Sequence, residues 1–254
     1  MKSEVKEFLI SSAGRNENES FLKEDPSQFM HKVNGERNRE AVAFVASGLS
    51  FGSRKQFLPK IARIVELSGG DVDGWIRSGR FEDSFSADSA KPFYRFFSEG
   101  TMNEFFGVYR EIMNCHGSLG ECLRSAGVAD ALAAVGKIVA LFSKCAGEYS
   151  VVPKNPRSAC KRVCMFLRWM VRGGSPVDLG LWSDFIPKET LVIPLDTHVL
   201  TQAKRLGLIK SKVASMSMAI KLTERLKEVF PTDPLKADFA LFGNGVNGQS
   251  RFVK

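Results

Sequence analysis

The chain has 254 residues, 44% of them hydrophobic, which is enough for one large core or two small ones. Lysine plus arginine outnumber aspartate plus glutamate 36 to 28, and the resulting charge of +8 favours a polyanionic partner through its field and through counterion release. No apolar run reaches the roughly 18 residues of a membrane span, Lys2, Glu4, Lys6 and Glu7 give the start no signal-peptide form, and five cysteines without a C-x-x-C pair argue against a disulfide framework or a zinc site. The expectation is a cytoplasmic protein with no membrane attachment and no metal.

In chain order, helical periodicity first stands out at Ala41, Val42, Val45, Ala46 and Leu49. It resumes at Phe57, Ile61, Ile64, Val65 and Leu67, so Phe51-Gly52-Ser53 reads as the turn of a helix-turn-helix. The aromatic cluster between Phe93 and Tyr109 is expected to be mostly core, with a minority free to wall a pocket for an extruded base. Further helices are predicted over 103–113, 129–145, 159–172, 197–206 and 216–230, with Gly207 and Pro231 as stop signals. The best β candidate, Leu191-Val192-Ile193, runs straight into Pro194. The predicted fold class is all-α.

Between Tyr149 and Val177 lie Lys154, Arg157, Lys161, Arg162, Arg168 and Arg172 and no acidic residue, so this segment is the expected phosphate-facing surface. The alternative is a solvated basic face with no ligand. The helix around Cys160–Val171 is apolar enough to be buried on most sides, with Lys161 near its first turn. At 100° per residue Lys161, Met165, Arg168 and Arg172 share one stripe. An amine at the mouth of a buried helix beside arginines should lose its proton more readily, and an unprotonated amine is a usable nucleophile. The plainer reading has Lys161 mark the solvent end of the helix. Cys160 and Cys164, at i, i+4 spacing in this apolar run, read as core.

Asp196, in Leu195-Asp196-Thr197-His198-Val199-Leu200, sits where a helix N-cap belongs. As structure alone such a cap contributes about 1 kcal/mol. His198 reads as a packing or hydrogen-bonding residue.

Taken together, the two segments resemble the helix-hairpin-helix DNA glycosylase superfamily, which includes endonuclease III and the 8-oxoguanine glycosylase/lyases. There a hairpin leads into a helix bearing a nucleophilic lysine, and a later [VILM]-D-[TR]-H-[IV] segment carries an essential aspartate; Lys161 and Asp196 match these. The run Lys161 to Arg168, K-R-V-C-M-F-L-R, looks like the 8-oxoguanine branch, and the long spacer to Asp196 is comparable to that of its archaeal members. Weaker likeness extends to Ala41–Gln56 and to the run from Asp238 to Gly243, and the whole chain is similar to an uncharacterised bacterial family carrying C-K-R-x-x-M-F-L-R-W-M-V-R and I-P-L-D-x-H.

The chain departs from the superfamily at the hairpin, where Arg157 and Ala159 replace the glycines of G-x-G. That puts the usual backbone grip on phosphate in doubt and suggests a side-chain contact from Arg157 instead. No cysteine follows Cys164, so no iron-sulfur cluster is expected.

The resemblance implies one glycosylase-like unit over 1–254, with a central helical subdomain at about 39–145, a second from about 1–38 plus 146–254, and a cleft between them. It implies a monomer that binds duplex DNA carrying a damaged base or abasic site, excises the base through Lys161 and Asp196, and nicks the strand without a cofactor. Arg157, Arg162, Lys154 and Arg168 are the expected DNA contacts. The spacer and the F-L-R phrase point to 8-oxoguanine. The rivals are a non-catalytic DNA-binding protein on the same scaffold and a monofunctional glycosylase that uses Asp196 alone.

Overall fold

The computed structural model describes residues 1–145, 147, 149–211 and 213–246. Among these the fold is all-α, with a single two-stranded hairpin as its only sheet. The chain divides into two compact units. A central unit holds residues 22–129 and 133–154, and a terminal unit gathers residues 1–21, 130–132 and 155–254.

The first helix, α1 (Ser3–Asn16), belongs to the terminal unit. The central unit runs through α2 (Gln28–His31), α3 (Glu36–Leu49), α4 (Arg54–Leu67) and α5 (Val72–Arg77) to the strands β1 (Pro92–Tyr94) and β2 (Phe97–Ser98). It continues with α6 (Glu99–His116), α7 (Leu119–Ser125) and most of α8 (Ala131–Leu141). The turn predicted at Phe51-Gly52-Ser53 joins α3 to α4. Gly52 adopts φ +81°, a left-handed conformation that favours glycine.

Aromatic rings fill this core as the sequence predicts. Phe44 of α3 lies 5.0 Å from Tyr109 and 5.3 Å from Phe142, and Trp75 of α5 meets Phe106 of α6 at 5.2 Å. Buried Glu40 of α3 accepts the Leu119 N–H at 2.8 Å and also bonds the Gly120 N–H, satisfying donors that the start of α7 would otherwise leave bare. Two expected boundaries shift. Residues 22–38 belong here because α2 packs on α3 and α4 and buries Phe29 and Met30. Residues 146–154 do so because Val151 lies directly over Gly48 and Tyr149 stacks on Phe96.

In the terminal unit α1 packs on α12 (Lys236–Val246), which packs in turn on α10 (Thr197–Arg205). The other helices of this unit are α9 (Lys161–Val171) and α11 (Met216–Leu226). The apolar run Leu191–Ile193 is buried and pairs with no strand. Its Ile193 N–H goes instead to the Thr223 hydroxyl of α11 at 3.0 Å, which removes the need for a ladder. After α10 the chain reverses at Gly207, as predicted, with the Leu208 N–H returning to the Ala203 carbonyl at 2.9 Å.

Candidate active site

Lys161 is the first residue of α9, and the segment leading to it is tied down locally. The Asn155 side chain accepts the Arg157 N–H at 2.9 Å, and the Ser158 hydroxyl donates to the Asn155 carbonyl at 2.7 Å. An isolated antiparallel bridge joins Ser158 to Ser215, the N-cap of α11, and the Met216 N–H donates to the Arg157 carbonyl at 3.1 Å. The chain then enters α9 through Cys160, a non-glycine residue at φ +42°. A left-handed conformation costs an ordinary residue roughly 1–2 kcal/mol. The residue in this left-handed conformation just before the lysine is thus a cysteine, and it is buried.

Asp196 is the N-cap of α10, as the sequence predicts, and its two oxygens do different things. Oδ1 accepts the backbone N–H groups of His198 and Val199, each at 2.9 Å. Oδ2 lies 3.8 Å from the Lys161 Nζ. Lys161 keeps 27% exposure and Asp196 19%, so the pair is neither sealed off nor fully solvated. An ammonium and a carboxylate thus meet at the starts of two helices from distant parts of the sequence.

A third ionisable group belongs to this neighbourhood. Asp238 of α12 is buried and bonded to the Arg168 guanidinium, and it feels the charges of both Asp196 and Lys161. Burial pushes its carboxyl above the ordinary carboxylate value, while Arg168 pulls it back. The sequence flagged the phrase beginning at Asp238 but assigned that residue no role.

Arg168 requires a correction. It was expected to contact DNA, yet it is 4% exposed and committed to Asp238 and to Asp178, whose Oδ1 accepts its Nε–H at 3.1 Å. Arg172, on the same stripe, is likewise buried and pairs with Asp178, Asp233 and Glu17. Both guanidiniums pack over the Phe239 ring, at 4.8 and 5.3 Å. Arg168 and Arg172 thus belong to an internal ion network, because Asp178, just past the acid-free window, and Glu17, Asp233 and Asp238, remote in sequence, supply the counter-charge that the window lacks. Burial alone would lower the Arg172 guanidinium, but its carboxylate partners outweigh that and hold it above its ordinary value.

The other expected DNA contacts fall in different places. Arg157 is exposed in the segment before α9. Arg162, next to Lys161, is half-buried, and burial pushes its guanidinium down to about 10, which leaves it cationic at neutral pH. Lys154 is exposed but belongs to the central unit, where its Nζ donates to the Gly147 carbonyl at 2.5 Å.

A model of the family described as a protein of unknown function, DUF2400, matches residues 25–247, well over half the chain. The chain belongs to the DUF2400 family. No curated protein and no solved structure matches it. The stretch matched to DUF2400 contains Lys161, Asp196 and Asp238 and all of the network beneath α9 except Glu17.

Proposed function

We propose that this DUF2400 chain is a DNA glycosylase with an associated abasic-site lyase activity, in which Lys161 is the nucleophile and Asp196 its charge partner. The observation that carries the reading is the division of labour at Asp196. One carboxylate oxygen is fixed by two backbone N–H groups, which aims the other at the Lys161 amine. A nucleophile beside an oriented charge is the arrangement covalent catalysis needs.

In the proposed reaction the unprotonated Lys161 amine forms a bond to C1′ of the damaged nucleotide as the bond from C1′ to the base breaks. The base leaves with that electron pair and takes up a proton. Positive charge that develops on the sugar lies opposite Asp196, and such electrostatic stabilisation is a large term in enzyme catalysis. Opening of the sugar ring gives a Schiff base. Loss of a C2′ proton then expels the 3′ phosphate, and water releases Lys161. The expected substrate is duplex DNA with a damaged base, 8-oxoguanine being the candidate to test first. Borohydride reduction in the presence of abasic-site DNA should link wild-type protein to the strand. Cleavage of abasic DNA without any trapped adduct would rule out the Schiff-base route.

Asp196→Asn retains an oxygen for the α10 cap, so unfolding should be nearly unchanged. Single-turnover excision should fall by about 10²- to 10³-fold, the usual scale for an electrostatic group of this kind. An unfolded variant would mean that Asp196 is needed for structure before chemistry.

Phosphate binding should rest on Arg157 rather than on the buried arginines of α9. Arg157→Ala is expected to weaken binding to all duplex sequences alike and to reduce the slope of log affinity against log salt by roughly one unit. A changed lesion preference with an unchanged slope would place Arg157 at the base instead.

A further inference from the structure

The feature that the proposed chemistry leaves unused is the tip of the β1–β2 hairpin, in the central unit. Nearly all of the aromatic cluster around it is buried, but Phe96 is 56% exposed and Tyr149 is 44% exposed. These two rings stack on one another in a near-parallel arrangement, with centroids 5.0 Å apart and planes 17° from coplanar. Arg95, also exposed, places its guanidinium carbon over the Phe96 ring and over the Phe51 ring, 5.6 Å from each centroid. Its backbone is held at φ +52°.

The arrangement is costly for a surface with no ligand. Apolar rings left in water forgo the burial that the other rings of the cluster obtain. The left-handed backbone of Arg95 is set by the two-residue turn between the paired Tyr94 and Phe97, which fixes where Arg95 and Phe96 stand. The scaffold supplies that constraint from below. Tyr94 donates its hydroxyl hydrogen to the Phe51 carbonyl, and the Phe51 ring is packed edge-on by Tyr94 and Phe97 at 4.9 and 5.2 Å. Phe96 therefore stands on a packed base, and Tyr149 stacks on Phe96.

We propose that Phe96 and Tyr149, flanked by Arg95, form a stacking platform for unpaired nucleobases. Flat π-faces accept any base, and a neighbouring guanidinium complements the phosphate that accompanies each one. A protein partner would be served as well by aliphatic side chains, whereas a near-parallel aromatic pair with an adjoining cation matches a stacked base in both shape and charge. This surface does not depend on Lys161, and its ligand needs neither a damaged base nor an abasic site.

The test uses the full chain and short single-stranded oligo-dT and oligo-U, followed by fluorescence anisotropy. Phe96→Ala and Tyr149→Ala should each weaken binding to the preferred strand on the order of tenfold or more. Phe96→Trp should restore binding, and its fluorescence should be quenched on addition of the strand. Loss with oligo-dT or with oligo-U supports the platform and identifies the strand. Failure of the wild-type chain to bind either one, or equal binding by Phe96→Ala and the wild type, would overturn it. So would a change of oligomeric state on Phe96→Ala, since the rings would then be covering a second copy. A misfolded alanine variant leaves the question to Phe96→Trp, where binding without quenching counts against stacking. The lyase proposal can fail in trapping experiments while this one stands, and the reverse also holds.

Discussion

Lys161→Gln should abolish the borohydride-trapped adduct with abasic DNA completely, while fold and duplex affinity survive. Glutamine retains a polar side chain of similar reach but cannot form an imine. The lysine is 27% exposed, and the carboxylate 3.8 Å away has two backbone donors on its other oxygen, so losing the ammonium does not strand a buried charge. The loss is therefore expected in chemistry and not in stability. Single-turnover cleavage together with thermal unfolding separates the two. If the variant still traps, another amine is the nucleophile.

Arg168→Met should behave in the opposite way, with a large loss of stability. The substitution leaves Asp238 and Asp178 buried, each without a cation that it now holds. Removing one partner of a buried ion pair typically costs about 3–5 kcal/mol, because the remaining charge stays desolvated. That is a large share of a domain's usual stability. The deficit should also depend on pH in a definite direction. Burial already raises both carboxyls above their ordinary value, so the native state binds more protons than the unfolded chain in the interval between the two values. Stability then falls as pH rises through that interval, and more steeply once Arg168 no longer opposes the rise. Denaturant unfolding near pH 5 should show a smaller deficit than at pH 8. A variant as stable as the wild type would show that the network contributes nothing to the fold.

The two substitutions also mark what can be read locally in this sequence. The helices α3, α4 and α6 follow from a 3.6-residue apolar period, and the cap at Asp196 follows from an aspartate placed before such a period. The β1–β2 hairpin was missed because strands of two and three residues are too short to show alternation. Arg168 and Arg172 were misplaced for a different reason. A window free of acidic residues looks like an exposed basic surface, but Asp178 lies one residue beyond it, and Glu17, Asp233 and Asp238 reach these arginines from the ends of the chain. The proximity of Lys161 to Asp196 is likewise tertiary, and only the family resemblance anticipated it. Asp238 carries no role in the sequence reading because its contact with Arg168, 70 residues earlier, is tertiary.

That proximity is the centre of the functional account, and the adduct itself tests it most directly. Wild-type protein should be reduced with borohydride on an abasic-site duplex, the DNA trimmed, and the protein digested and mapped by mass spectrometry. The sugar remnant should be carried by Lys161, at the start of α9. A remnant on any other lysine or on the α-amino group, or no remnant at all, would contradict it.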